Sequence, residues 1–236
     1  MSAVQQLDQI SAGREALKSG SGWFVFHSDA VAAGDKQAMT AIAEALGTES
    51  DRDGGALWPI APRASSGTFS LTSEEARLHT DAQYHDRPEP AFLLFCVVPA
   101  SCGGGANRLL RASDLSDGLG STEMLTQADV ASLRKEIWSW EVPAVFQTPS
   151  TQAISPPHAV LGGDETVRWR SDNLRPGNDE QSNTADRFRE YIEGHPAVET
   201  VFLEAGDVLY CDNQRALHGR TAFQDQRRLL YRTRLW

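Results

Sequence analysis

The sequence predicts a mainly β fold with flanking helices, a double-stranded β-helix (jelly-roll) core forming one domain over 1–236 with a helical edge at about 1–50. Three observations carry this expectation. Helical spacing is concentrated before residue 50, and beyond it short apolar runs of strand length recur between Gly, Pro, Asn and Asp turn signals. The 236 residues suffice for one sizeable core. No linker, internal repeat or low-complexity tract divides them.

The elements follow in order. Residues 4–18 have helical spacing, SGSG at 19–22 breaks it, and GWFVFHS at 22–28 reads as a short strand. Ser28 or Asp29 then looks like a cap leading into an Ala-rich helix. A further helix is expected from about Asp35 to Leu46, stopped by Gly47. Residues 48–66 read as loop, TFSL at 68–71 as a possible strand, and a strand is expected near His79. AFLLFCVVP at 91–99 is an apolar strand closed by Pro99, and CGGGANRLLR at 102–111 supplies a turn and a strand. A short helix, TQADVASLRKE, falls within 112–135 and its immediate border. IWSWEVPAVF, HAVL, TVRWR, ETVFLEA, DVLYCDN and RRLLYRTRLW are the later strand candidates, with one late helix from Ala185 to Glu193 ended by Gly194 and Pro196.

Composition narrows the function classes. A net charge of −10 opposes non-specific binding to nucleic acid. The N-terminus lacks a basic stretch followed by an apolar run, and no apolar segment reaches membrane-spanning length, so a cytoplasmic protein is expected, with neither nucleic-acid nor membrane partner. Cys96, Cys102 and Cys211 are scattered, with no CxxC, and read as reduced thiols in or near the core.

The chemistry centres on LHTDAQYHDRPEP at 78–90 and ALHGR at 216–220. On an extended backbone His79 and Asp81 project from one face. With His218 they make two histidines and one carboxylate, the set expected for non-haem Fe(II) that activates O₂. Six histidines and 32 acidic residues in 236 yield about one accidental His-x-Asp/Glu, and His27 with Asp29 is such a match, read as a helix cap. The C-terminal strand separates Arg228, Arg232 and Arg234 on one face from Leu229, Tyr231 and Leu235 on the other. Guanidinium groups inside a barrel are costly unless an anion meets them, and a carboxylate matches their fork.

HTD, the downstream glycines, the DNxxxxHGR-like segment and the RRxxxR tail together resemble the taurine dioxygenase and clavaminate synthase-like family of Fe(II)/2-oxoglutarate-dependent oxygenases, over about 78–236. The resemblance implies His79, Asp81 and His218 as metal ligands and catalytic centre, Fe(II) and O₂ as cofactors, and 2-oxoglutarate as co-substrate bound through Arg228. It places Arg232 near the primary substrate. Where the family often has a Thr after the glycine pair, this chain has Ala106-Asn107, so Asn107 or a water is expected to replace that contact. Asp81 occupies the place a halide needs in related halogenases, which favours hydroxylation of a C–H bond.

Tyr84 and His85 follow the motif and could face a substrate, although a His among charged residues is more often solvated. Arg170 could reach the pocket or form a surface ion pair. His158 and His195 read as loop or edge residues, and Trp138 with Trp140 as sheet packing. Loops 48–66, 112–130 and 145–185 would set selectivity, and a small, amino-acid-like or anionic substrate is expected. Two rival readings are a zinc hydrolase on the same three ligands and a non-catalytic anion-binding jelly-roll.

Overall fold

The computed structural model describes residues 3–52, 57–62, 69–115, 119–120, 124–147 and 152–236. Parts of the expected selectivity loops, and Thr68 of the expected 68–71 strand, lie outside them.

Two antiparallel sheets form the core, in the jelly-roll arrangement expected from the sequence. The first contains, in spatial order, β1 (Trp23–His27), β9 (Asp207–Asp212), β4 (Ala91–Val98), β11 (Leu229–Leu235) and β2 (Trp58–Ile60). The second contains β3 (Ala76–His79), β10 (Ala216–Arg220), β5 (Asn107–Arg111) and β8 (Glu199–Val201).

Side-chain parity explains the sequence of each strand. On β4, Leu93 and Phe95 face α1 (Ala3–Lys18), α2 (Asp29–Ala32) and α3 (Lys36–Leu46), while Phe92, Leu94 and Cys96 join the other cluster with Leu109 and Leu209. Both faces are therefore covered, which is why this strand reads as an unbroken apolar run. On β11, Tyr231 and Leu235 pack under the helices and Leu230 faces the opposite way. Arg232 and Arg234 share the face of Leu230, whereas Arg228, expected on the same strand face, precedes β11 beyond a register shift between Leu229 and Leu230. The helix α3 presents Met39, Ile42, Ala43 and Leu46 to the core at i, i+3, i+4 and i+7 spacing. Its N-cap is Asp35, whose carboxylate accepts from Gln37 N and Ala38 N, and Gly47 ends it as expected.

The third cluster covers the outer face of the second sheet. It joins Leu78, Leu110 and Leu217 to Trp138, Trp140, Trp169 and Phe188 under α5 (Gln127–Leu133) and α6 (Asp179–Glu193).

Several elements differ from the sequence reading. Residues 69–71 form a 3₁₀ turn instead of a strand, tied through the Trp58 Nε1 bond to Ser70 Oγ. The short strand β2 lies inside the expected 48–66 loop; its Pro59 is tolerated because β2 is an edge strand. Among the described residues of 137–175 the only strands are the two-residue β6 (Ser139–Trp140) and β7 (Leu174–Arg175), with isolated bridges, so Trp138 and Trp140 are fully buried without a regular sheet face. The late helix α6 starts at Asp179, six residues before the expected Ala185, because Asn178 caps it by accepting from Gln181 N. The structure also adds α4 (Ala112–Leu115). Ser28 is the N-cap of α2 but makes no side-chain cap bond. Cys96 and Cys211 are buried as expected, whereas Cys102 is exposed, on the glycine turn.

One buried carboxylate ties α5 to α6. Asp129 completes a capping box with Thr126 and accepts from Thr184 Oγ1 at 2.8 Å and Arg187 Nε at 3.1 Å. Burial alone would raise its carboxyl, yet the bonds from Arg187, Thr126 and Thr184 outweigh that and hold it well below the usual carboxylate range. Asp129→Ala should cost about 1–3 kcal/mol at pH 7, with the half-exposed Arg187 contributing least. A depressed carboxyl stabilises the fold above its unfolded value of about 3.9 and loses that contribution as the pH falls toward its folded value. Urea unfolding at pH 7 and pH 3.5 should therefore show the gap between wild type and variant narrowing at the lower pH.

Candidate active site

The site forms where β3 and β10 pair. His79 and His218 are direct partners in the antiparallel register, and their rings lie 4.3 Å apart between centroids. Because Leu78 and Leu217 point to the outer cluster, the two histidines point inward. The ladder shifts register between His218 and Arg220. A Cβ on Gly219 would stand 2.6 Å from the Ala76 carbonyl oxygen, so only glycine permits this close approach of β10 to β3.

Asp81 is brought in by a turn beyond β3 that is fixed from several directions. Asn213 accepts from Asp81 N at 2.7 Å and donates to the carbonyls of Asp81 and Glu89 at 3.0 and 2.8 Å. Thr80 N donates to the Trp169 carbonyl, and Trp169 N returns a bond to Thr80 Oγ1. Arg168 donates to the carbonyls of Gln83, His85 and Asp86. In the sequence Asn213 and Arg168 fall only within strand candidates, DVLYCDN and TVRWR.

The result is a three-donor cluster whose ligand atoms all lie within 4.8 Å of one another. His79 Nδ1 donates to the Arg77 carbonyl at 2.7 Å, which fixes the tautomer and leaves Nε2 directed at Asp81. Asp81 Oδ1 lies 3.8 Å from His79 Nε2 and 3.9 Å from His218 Nε2, while Arg232 Nη1 holds Oδ2 at 2.8 Å. Burial favours the neutral form of both imidazoles and lowers their pKa values, His218 most strongly. Burial would raise Asp81, but Arg232, His218 and His79 outweigh it and keep the carboxyl well below its ordinary range. Two neutral imidazoles and one carboxylate are the protonation states that a divalent metal requires. The donor set thus fits a non-haem iron centre.

A cavity of about 380 Å³ opens onto the three donors. The expected arginine face is distributed unequally among partners. Arg234 meets the fully buried Glu89, which also accepts from Ser50 Oγ at 2.5 Å. Arg232 is engaged by Asp81 and also lines the cavity. Arg228, 3% exposed, donates from Nη2 to the Gly105 carbonyl at 3.4 Å, and its Nη1 is buried with no hydrogen-bond partner among the described residues. Gly105 has a φ of +76°, and a Cβ there would lie 3.1 Å from Arg228 Nε, so this glycine makes room for the guanidinium. Burial pushes the Arg228 pKa down to about 10, which still leaves it charged at neutral pH. A charged group left with an unmet donor fits a carboxylate, as 2-oxoglutarate would supply.

The remaining candidates separate by position. Asn107 and Tyr84 are buried in the cavity wall, whereas Ala106 is not part of it. Arg170 lines the cavity and makes a two-bond pair with Asp172, Nε to Oδ1 at 2.7 Å and Nη2 to Oδ2 at 3.1 Å. His85 packs on the Tyr84 ring at 4.7 Å and is not part of the cavity wall. His27 joins Asp29 and Asp207, each at 3.3 Å, away from the donor cluster. His158 pairs with Asp86 and His195 packs on Tyr191.

Because Asn213 fixes the turn that carries Asp81, Asn213→Ala should weaken Fe(II) binding by about 10–100-fold while leaving both histidines in place. An anaerobic Fe(II) titration of the two proteins measures this.

Comparisons with known proteins agree with this geometry. The sequence model of the family described as taurine catabolism dioxygenase TauD, TfdA family matches residues 3–234. No match was found among curated proteins. Among solved structures, an asparagine oxygenase in complex with Fe(II), 2S,3S-3-hydroxyasparagine and succinate superposes with a TM-score of 0.78 at 17% identity, over 99% of this chain and 79% of that one. The non-heme iron oxygenase OrfP in complex with Fe and alpha-ketoglutaric acid gives 0.71 at 15% identity, over 100% of this chain and 80% of that one. OrfP with Fe, succinate and (3S)-hydroxy-L-Arg gives 0.69 at 16% identity, over 97% and 79%. The chain belongs to the taurine catabolism dioxygenase TauD, TfdA family and is a dioxygenase.

Proposed function

We propose that this dioxygenase hydroxylates a C–H bond of a free amino acid or a close analogue, with His79, Asp81 and His218 as the iron ligands and Arg228 as the anchor of 2-oxoglutarate. The observation that carries the site assignment is the unmet Nη1 of Arg228 in the wall of the same cavity as the three donors. When bound, the iron and co-substrate supply the oxidation: one oxygen atom of O₂ enters the substrate C–H bond and the other enters succinate, with loss of CO₂.

The chain's own residues bind and orient. Arg232 takes Asp81 Oδ2 and so presents Oδ1 toward both histidines. Phe92, with its ring 4.4 Å from that of His218, and Leu94 line the cavity beside the donors and exclude water from them. Tyr84 and Arg170 face the substrate space, with His85 supporting the Tyr84 ring. Asn107 stands where the co-substrate's chain would pass and has an amide to offer it.

Two features support an amino acid. The compared asparagine oxygenase and OrfP are solved with hydroxylated amino acids. The cavity wall here holds two pairs of opposite charge, Arg170 with Asp172 and Arg175 with Glu141, which suit a small zwitterion. No helix among the described residues is long and apolar enough to cross a membrane. The free cysteines favour a cytoplasmic location, and the charge of −10 speaks against a nucleic-acid partner.

Incubating the Fe(II)-loaded protein with 2-oxoglutarate, O₂ and each of the common L-amino acids tests the proposal. At least one should raise succinate release about tenfold or more above background and gain one oxygen atom by mass. Succinate release that no amino acid or analogue stimulates would reject the substrate class.

A further inference from the structure

The reading of Arg228 leaves a second buried arginine unexplained. Arg220, 6% exposed, lies two residues beyond His218 on β10 and lines the same cavity. Its Nη2 donates to the carbonyls of Thr72 and Glu74 at 3.0 and 2.5 Å, which fixes the guanidinium against the chain leading into β3. Its Cζ lies 4.8 Å from the centroid of the Phe223 ring, and the Cζ of Arg228 lies 4.9 Å from the same centroid. One aromatic ring therefore receives two guanidinium groups from opposite sheets. Aromatic rings attract cations, yet two like charges brought together out of water repel, and an anion reaching the cavity wall would relieve that repulsion.

The spacing along the strands locates the anion. From His218 to Arg220 a strand advances about 6.6 Å on one face. Arg228, which immediately precedes the facing strand β11, likewise stands apart from Arg232, which holds Asp81 Oδ2. That span suits the four carbon–carbon bonds of an extended five-carbon diacid whose first carboxylate is at the metal. Asn107, the direct cross-strand partner of Arg220, lines the same stretch of wall.

We infer that Arg220 is a positioning residue for the co-substrate: through Phe223 it sets Arg228 in place, and its charge makes the distal-carboxylate end of the cavity a two-arginine cradle selective for dicarboxylic keto acids. This rests on the reading that Arg228 receives the distal carboxylate.

Calorimetric titration of the Fe(II)-loaded protein without O₂ tests this, using 2-oxoglutarate and 2-oxopentanoate, which has the same carbon chain without the distal carboxylate. Arg220→Gln should weaken 2-oxoglutarate about tenfold and leave 2-oxopentanoate within about twofold, with Arg220→Lys recovering part of the loss. Arg228→Gln should weaken 2-oxoglutarate more, yet keep a preference of about tenfold for it over 2-oxopentanoate, because Arg220 remains. Unchanged 2-oxoglutarate binding in Arg220→Gln, or an equal loss for both acids, overturns the role of Arg220 while the reading of Arg228 stands. Should Arg220→Gln fail to fold, the Arg228→Gln protein decides: no residual preference for the diacid overturns the inference. If Arg228→Gln binds 2-oxoglutarate like wild type, the reading of this end of the cavity falls, and the inference with it.

Discussion

Charge buried between two apolar sheets is the constraint on which this structure depends. Asp81, Glu89, Arg220, Arg228 and Arg234 are buried and Arg232 half-buried, and all of them but Glu89 line a cavity shared with Phe92, Leu94 and Leu230. Each such charge is costly unless met. Glu89 meets Arg234 and, by accepting from Ser50, ties the loop after α3 to the end of β11. Asp81 meets Arg232 and remains ionised beside two neutral imidazoles. With those pairs made, the guanidinium of Arg228 is left facing the cavity with an unmet donor. The geometry of the three donors and the unmet donor in their cavity thus follow from the same pattern of charge pairing.

The parts of the site that local sequence determines were legible. The inward parity of Arg232 and Arg234 on β11 and the caps of α3 at Asp35 and Gly47 depend on neighbours in the chain, whereas Asp81, expected on an extended backbone with His79, stands on a turn beyond β3 that distant residues hold. What was not legible depends on partners far away. Asn213 acts through bonds to residues 81 and 89, and Arg168 through carbonyls of 83, 85 and 86; neither leaves a local pattern. In 137–175 the alternation of Trp with polar residues resembles a strand, yet those tryptophans fill the space under α5 and α6 and few of their backbones find a ladder. The single-turn strand β2 carries Pro59 and only three residues, so its existence follows from the free edge of β11 that it covers.

The rival readings fail on different grounds. A zinc hydrolase would use the same three donors, but it gives the buried Arg228 and its cavity no task, and the family match assigns the chain to dioxygenases. A jelly-roll that only binds anions would explain the arginines and leave unexplained why Asn213, Arg232 and the Arg77 carbonyl all act to orient the three donors. Orienting contacts of this kind are the surroundings expected of a metal centre.

The measurement that tests the central claim most directly is the visible absorption spectrum of the protein mixed with Fe(II) and 2-oxoglutarate in the absence of O₂. The account predicts a weak charge-transfer band from the keto acid chelated to iron in the wild type, absent from His218→Ala under the same conditions. A wild type that develops no such band, or a His218→Ala protein that develops it unchanged, would contradict it.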